Sequence, residues 1–218
     1  MRTPPPQLLP ILRSQVAGEL LALLYLHPDA EYSLTDVANA LHSSVQAVQH
    51  EASRLTKAGL IQDRRHGNLR LIRSGPETLL TRPLTDLLAV TYGPLPVLQE
   101  LLKATPGVES AYIYGSWAAR YHGEPGPIPA DIDVLVIGTP SLDDLDEVAE
   151  QAQGQLRRPV DIRRIRSATW NSPQPTDPFM ESVRSRPLVR IVGDRDDKET
   201  HAQHEVGTRP GDDRADAR

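Results

Sequence analysis

The most constraining feature of this sequence is the segment 111–138, AYIYGSWAARYHGEPGPIPADIDVLVIG. A β-rich run ends at Gly115 and Ser116, and after a Gly- and Pro-rich insert an apolar strand begins between Asp131 and Asp133. Residues i and i+2 of a strand point to the same face, so both carboxylates project together from the start of that strand. Mg²⁺ prefers one or two carboxylates plus phosphate oxygens to a full protein cage. The segment therefore predicts a site for a metal ion and a nucleotide.

Length and composition limit the classes of protein that this chain can form. Its 218 residues, 39% of them hydrophobic, are enough for two small domains with a core in each. The absence of cysteine excludes disulfides, thiolate metal sites and cysteine nucleophiles. No apolar run approaches the roughly 20 residues of a membrane span, and no signal-peptide core follows the first residues, so we expect a cytoplasmic protein with no membrane partner. The net charge of -5 argues against nucleic-acid binding over the whole surface but allows a local basic face.

Two helices are predicted at the start of the chain. Apolar residues at helical spacing predict the first over residues 8–27, and Pro28 ends it. Ser33, with Asp36 three positions later, is a capping box that predicts a short second helix.

A third helix and a β-hairpin follow. Ser43 and Gln46 predict a second capping box for a helix over 44–58, which Gly59 ends. A hairpin is predicted over 60–72, with its turn where glycine and asparagine tolerate positive φ. This order of helices and hairpin is that of a winged helix-turn-helix domain.

The third helix and the hairpin are locally basic. Six basic residues stand against the single acid Asp63, namely Arg54, Lys57, Arg64, Arg65, Arg70 and Arg73. In a winged helix the exposed face of the third helix meets base edges while the wing neutralises phosphates. We therefore predict double-stranded DNA as a partner, contacted by Ser44, Gln46, Gln49, His50, Arg54, Arg64, Arg65 and Arg70. The alternative is a solvated hairpin with ordinary surface arginines.

Residues 8–73 resemble the ArsR-like winged helix transcriptional regulators of bacteria, on the stretch SLTDVANALHSSVQAVQHEASRLTKAGLIQDRRHGNLRLIR. The resemblance implies a DNA-binding regulator. Some members of that family sense metals through cysteine or histidine clusters. This chain lacks cysteine and its histidines are scattered, so the metal-sensing role is not carried over.

A helical connector is predicted over 81–104. Its core, 83–102, is too apolar for a flexible linker, and Gly93 with Pro94 divides it into two helices or kinks one. Two roles for its apolar face remain open: packing one domain on the other, or joining two protomers as a homodimer.

The second domain alternates strands with helices. Strands are predicted over 108–114, 132–137 and 160–165, and helices over 117–121 and 142–156. The expected fold class is therefore α/β (α+β overall), with a small mixed sheet in this domain. If the last strand lies beside the Asp131/Asp133 strand, Asp161 brings a third carboxylate to the same edge.

The end of the chain gives weaker signals. Trp170, Phe179 and Met180 are expected to pack across the sheet, and 187–192 to add an edge strand or cover. The predicted domains are thus a winged helix-turn-helix domain over 8–80, the connector over 81–104, a mixed-sheet domain over 105–192 and a disordered tail over 193–218.

Gly115-Ser116, Asp131-Ile132-Asp133 and Asp161 resemble the signature of the minimal nucleotidyltransferase domains of the polymerase-beta-like superfamily. The resemblance implies that Gly115 and Ser116 bind the phosphates of a nucleoside triphosphate. It further implies that all three aspartates hold Mg²⁺ and that Asp161 helps to deprotonate an attacking hydroxyl.

Two departures accompany this resemblance. The spacer before Asp131 is longer than is usual in that family, and its segment 122–127 is either a lid over the nucleotide or a lengthened surface loop. Arg120 is a candidate phosphate contact, against the alternative of an exposed helix arginine.

Two functions follow from the two resemblances. The first is a DNA-binding transcriptional regulator with a fused metal- and nucleotide-binding domain. The second is an active nucleotidyltransferase that modifies a protein or small-molecule acceptor, as antitoxin-type minimal transferases do.

Overall fold

A computed structural model describes residues 14–172 and 177–193 of the chain. The first part of the fold consists of α1 (Gln15–Tyr25), β1 (Tyr32–Ser33), α2 (Leu34–Ala40), α3 (Val45–Lys57), β2 (Ile61–His66) and β3 (Leu69–Ser74). The helices α4 (Thr81–Tyr92) and α5 (Pro94–Lys103) follow. The second part consists of β4 (Val108–Tyr114), α6 (Gly115–Tyr121), β5 (Ile132–Gly138), α7 (Leu142–Leu156), β6 (Val160–Ile165), α8 (Ser167–Trp170), α9 (Pro178–Arg184) and β7 (Val189–Val192).

Side-chain caps start the first three helices. The prediction for α1 is confirmed over Gln15–Tyr25, while its first residues, 8–13, lie outside the described part. The predicted capping box of α2 is confirmed, because the Asp36 N–H donates to Ser33 Oγ (3.1 Å) and the Ser33 N–H donates to Asp36 Oδ2 (3.2 Å).

The predicted cap of α3 is wrong by one residue. Ser44, and not Ser43, caps it, accepting a hydrogen bond from the Ala47 N–H at 3.1 Å. His42 has φ +48°, and the Ser43 N–H still donates to the carbonyl of Ala38 (2.9 Å), so Ser43 belongs to the end of α2 and the extended Ser44 caps α3.

The first part of the fold is a winged helix-turn-helix domain. Strands β2 and β3 pair antiparallel from Ile61↔Ser74 to His66↔Leu69 and form the wing, as the sequence predicts. β1 pairs with the other edge of β3, which gives the strand order β1-β3-β2. The core under the wing is made of apolar side chains from all three helices and the sheet, namely Leu20, Leu24, Val37, Val48, Ala52, Leu55, Ile61 and Ile72.

The connector bends at Gly93, between α4 and α5, as predicted. A Cβ at Gly93 would lie 2.2 Å from the carbonyl oxygen of Ala89, so only glycine fits this bend. The Tyr121 hydroxyl closes the bend from the side, donating to Ala89 O (2.9 Å) and accepting from the Leu95 N–H (3.3 Å). Burial raises the pKa of Tyr121, so the hydroxyl stays protonated and keeps both bonds.

Of the two roles predicted for the connector, its packing within the chain is observed. Helix α4 packs on α1 of the winged domain, and α5 packs on α7 of the second domain. Two further contacts join the domains: Arg158 donates to the carbonyl of Leu26, and the His27 ring lies between the carbonyls of Leu23 and Leu156, 3.0 Å from each. The homodimer remains a prediction.

The second domain is built on a four-stranded mixed sheet of order β6-β5-β4-β7. β5 and β6 are parallel, whereas β4 pairs antiparallel with both of its neighbours. The α/β fold class, the small mixed sheet and the predicted edge strand are therefore confirmed. The tail from residue 194 onward lies outside the described part. None of the described helices has the length and apolarity needed to cross a membrane.

The two faces of this sheet are different. Ala111, Ile113, Val134 and Val136 belong to the apolar core, on the face covered by α5 and α7. Because successive side chains alternate in direction, Tyr112, Tyr114 and Asp133 belong to the opposite face. On that face Trp170 stacks on Tyr112 (ring centroids 5.4 Å apart), Phe179 meets Tyr114 edge-on (5.7 Å) and Met180 is buried, as predicted.

Candidate nucleic-acid interface and nucleotide site

Helix α3 presents one polar face to solvent. Gln46, Gln49, His50 and Arg54 are exposed and recur at helical spacing, while Val48, Ala52 and Leu55 are buried on the other side. Ser44 is also exposed, but its hydroxyl oxygen already accepts the capping bond. The face that the sequence predicts to read DNA is therefore free of the protein core.

Most of the predicted DNA-contacting arginines have a carboxylate partner. Arg64 Nε lies 3.0 Å from both Glu31 oxygens, Arg70 Nε lies 2.6 Å from Asp63, and Arg54 Nη2 lies 2.8 Å from Glu51. Arg64 lowers the pKa of Glu31, so that glutamate keeps its negative charge well below neutral pH. The sequence count of six basic residues against the single acid Asp63 misses Glu31 and Glu51, and it therefore overstates the positive charge of α3 and the wing.

Arg65 is different from its neighbours. It is exposed on β2 near the wing turn, and no carboxylate within residues 14–172 and 177–193 forms an ion pair with it. The adjacent arginine, Arg64, points to the other face of the strand, towards Glu31. Arg65 is therefore the wing cation that is most available to a phosphate.

The three predicted carboxylates lie on neighbouring strands. β5 and β6 pair in parallel with Asp133 opposite Asp161, and Asp131 precedes β5 by one residue. Asp133 is half-buried, whereas Asp131 and Asp161 are exposed. Burial raises the pKa of Asp133, and the negative charges of Asp131 and Asp161 raise it further. The acids are close enough to repel one another, and a bound cation would relieve that repulsion.

Gly115 brings the backbone against this acidic edge. It has φ +68°, and a Cβ there would lie 2.5 Å from Asp133 Oδ2. Any other residue would be strained by the left-handed conformation and would collide with the carboxylate. Ser116 follows in the first turn of α6 and is exposed. The chain thus turns from β4 into α6 directly beside Asp133.

The donor set limits the metal that this edge can bind. In the described part of the chain, no group of three or more His, Asp or Glu side chains is arranged to hold a metal ion. A cage made by all three aspartates is therefore not assembled in this conformation. Mg²⁺ needs only one or two carboxylates when phosphate oxygens and water complete its shell, and Asp131 with Asp133 fits that smaller requirement.

Arg120 is not the exposed arginine that the sequence suggests. Its side chain is 8% exposed, and its Nη2 lies 2.7 Å from Asp86 Oδ1 on α4. Its Nη1 donates to the carbonyls of Glu124 (3.4 Å) and Gly126 (3.2 Å). Its Nη1 and Nη2 groups are thus engaged by the connector and the insert, while its buried Nε has no hydrogen-bond partner among the described residues. A nucleotide contact by Arg120 would require these bonds to break.

Insert 122–127 is held by hydrogen bonds to several side chains and backbone groups. Besides Arg120, Arg82 of α4 donates to the Gly123 carbonyl at 3.3 Å, and the His122 ring lies 3.3 Å from the Leu188 carbonyl. The connector therefore holds the segment that the sequence offers as either a lid or a surface loop.

Sequence reasoning missed Tyr114 and Arg163 as members of this site. Tyr114 pairs with Asp133 across β4 and β5, and Arg163 follows Asp161 by two residues on β6. The same i, i+2 alternation that joins Asp131 with Asp133 could have placed Arg163 beside Asp161.

The comparisons with known proteins give partial structural similarity. No protein-family model and no curated protein matches the chain. Reduced HlyU from Vibrio cholerae is 19% identical over 38% of this chain and 82% of its own, with a TM-score of 0.32. Two variants of ZitR from Lactococcus lactis are 22% and 21% identical over 41% of this chain and 60% of theirs, with TM-scores of 0.32 and 0.33. At these values the similarity establishes neither a family nor a function.

Proposed function

We propose that this protein is a DNA-binding transcriptional regulator whose second domain binds a nucleotide with Mg²⁺. The observation that carries the DNA-binding part is the exposed face of α3, which stands beside a wing in winged helix-turn-helix order. Glutamine side chains in a major groove form paired hydrogen bonds with adenine, which suits Gln46 and Gln49. The wing then lies over the phosphate backbone.

The acids around the wing set the strength of this binding. Glu31 and Asp63 already engage Arg64 and Arg70, so phosphates must compete with them for these two arginines. Arg65 meets a phosphate without such competition. We therefore expect Arg65 to contribute more to DNA affinity than Arg64, although the two are neighbours in sequence.

Arg65→Ala is expected to weaken binding to duplex DNA and to reduce the slope of log K against log salt by about 1, because one phosphate contact is lost. Glu31→Gln is expected to strengthen binding, because it releases Arg64 and Arg73 from a negative charge. Fluorescence anisotropy with a labelled duplex pool at several salt concentrations measures both effects.

Arg166→Ala is the matched control, since Arg166 is an exposed arginine on the second domain. It should leave the affinity and the slope unchanged. Absent or salt-independent DNA binding by the natural protein would contradict the regulator function, and equal effects at Arg65 and Arg166 would contradict the assigned interface.

A second candidate function is nucleotidyl transfer, and the neighbouring positions of Asp133 and Asp161 beside Gly115 favour it. In such a reaction Asp131 and Asp133 would hold Mg²⁺, which supplies neutralisation of the phosphate charge. A hydroxyl of a protein or small-molecule acceptor attacks the α-phosphorus, pyrophosphate leaves, and Asp161 accepts the hydroxyl proton. Gly115 and Ser116 would position the phosphates.

Transfer is tested by incubating the protein with cell lysate, Mg²⁺ and each nucleoside triphosphate labelled at the α-phosphate. Asp131→Asn and Asp133→Asn are expected to abolish labelling of the acceptor, whereas Asp143→Asn, an exposed aspartate in the first turn of α7, should retain it. Equal labelling by the natural protein and by all three variants would exclude transfer at this site.

A further inference from the structure

The candidate nucleotide site has three carboxylates and needs a positive side chain. A nucleoside triphosphate carries several negative charges, and its recognition ordinarily includes Arg or Lys as well as metal ions. Arg120 is engaged by Asp86 and by the insert, as described above. A phosphate-binding cation is therefore expected among the other residues on the face of the sheet that carries Asp133.

Arg163 meets the geometric requirements for this role. It follows Asp161 by two residues on β6, so both side chains leave the same face, with their Cα atoms about 6.6 Å apart. Its neighbour across the parallel pair is Leu135, two residues beyond Asp133. Arg163 thus lies one residue pair further along the same face of the sheet than Asp133 and Asp161.

An aromatic side chain orients the guanidinium. The Arg163 Cζ lies 3.6 Å from the centre of the Phe179 ring, and that ring in turn meets Tyr114 edge-on. A guanidinium stacked on an aromatic face keeps its N–H groups available in the plane, where they can bind phosphate oxygens. Tyr114 immediately precedes Gly115. The series of contacts from Arg163 through Phe179 to Tyr114 therefore ends at the turn that faces Asp133.

Arg163 is also only weakly engaged by carboxylates. Its distance to Asp177 Oδ2 is 4.0 Å, and its side chain is 49% exposed. Burial raises the pKa of Tyr114, the negative charges of Asp133 and Asp161 raise it further, and the positive charge of Arg163 opposes them. The cation and the two acids therefore share one neighbourhood around Tyr114.

We propose that Arg163, held on the ring of Phe179, binds the phosphates of the nucleotide at the Gly115/Asp133 site. This inference rests on the proposed nucleotide-binding function and adds the residue that recognises the triphosphate.

The test measures binding of Mg²⁺-tripolyphosphate and of each of the four Mg²⁺-nucleoside triphosphates by isothermal titration calorimetry. Arg163→Gln is expected to lower the affinity for both kinds of ligand at least about tenfold, because charge-assisted hydrogen bonds to the phosphates are lost. Arg163→Lys keeps the positive charge but loses the planar stacking. Its affinity should therefore lie between those of the natural protein and Arg163→Gln. Arg166→Gln is the matched control and should bind as the natural protein does.

Circular dichroism and DNA affinity, which depend on the fold and on the other domain, should not change in any of these variants. Equal binding by the natural protein and Arg163→Gln would overturn this inference and leave the nucleotide site standing. Weaker binding of triphosphates with unchanged binding of tripolyphosphate would overturn the phosphate assignment. Absence of binding to the natural protein would overturn the proposed nucleotide function, and the role of Arg163 with it.

Discussion

Trp117→Ala is expected to lower the free energy of unfolding by about 3–5 kcal/mol, as the truncation of a large core aromatic does. Trp117 is 1% exposed and packs against Tyr121, with ring centroids 5.7 Å apart. Its removal is expected to leave a cavity beside Tyr121 that the surrounding core closes only in part. Urea unfolding followed by far-UV circular dichroism measures the loss.

Trp117→Phe provides the control for this prediction. The buried indole Nε1 has no hydrogen-bond partner in the described part of the chain, so replacing it removes an unsatisfied polar group together with some packing. Phe is therefore expected to restore most of the lost stability. A loss below about 1 kcal/mol for Trp117→Ala would show that this side chain does not support the core.

Gly93→Ala is expected to destabilise the protein by about 2–4 kcal/mol, through overpacking and the loss of hydrogen bonds. The new methyl group would lie 2.2 Å from Ala89 O and 3.0 Å from Tyr121 Oη, so α4 and α5 must move apart. That movement breaks the bridge that the Tyr121 hydroxyl makes across the bend. Urea unfolding again gives the magnitude.

Gly154→Ala is the matched glycine control. Gly154 lies in α7, and a Cβ there would have nothing within 4 Å. Because alanine favours a helix by up to about 1 kcal/mol over glycine, this variant is expected to be more stable than the natural protein. If both glycine variants change stability in the same direction and by the same amount, the steric account of the bend is wrong.

Much of the fold was predictable because its signals are local. The bounds of β4, α7 and β6 agree with the sequence prediction at both ends. An apolar run, a serine cap or a basic residue after a helix acts on its own neighbours, so these signals can be read without the rest of the chain. The adjacency of Asp133 and Asp161 was predicted on the condition that the last strand lies beside β5, and the parallel pairing of β5 with β6 meets that condition.

The errors concern features that tertiary contacts create. β1 is only two residues long and exists because it pairs with β3, which no local pattern signals. That pairing also brings Glu31 to Arg64, and so it determines the charge of the wing. The Arg120 side chain is 8% exposed and pairs with Asp86 of α4, a partner that the sequence spacing does not signal. Such contacts join residues more than 30 positions apart and are not visible in sequence spacing.

Helix α6 connects the acidic edge of the sheet to the bend of the connector. At 1.5 Å per residue, its seven residues make a rod about 10 Å long, with Gly115 at one end and Tyr121 at the other. One end abuts an acidic carboxylate, and the other is bonded into the bend between α4 and α5. Through this one short helix the acidic edge is joined to Ala89 and Leu95 at the bend, and through α4, which packs on α1, to the winged domain.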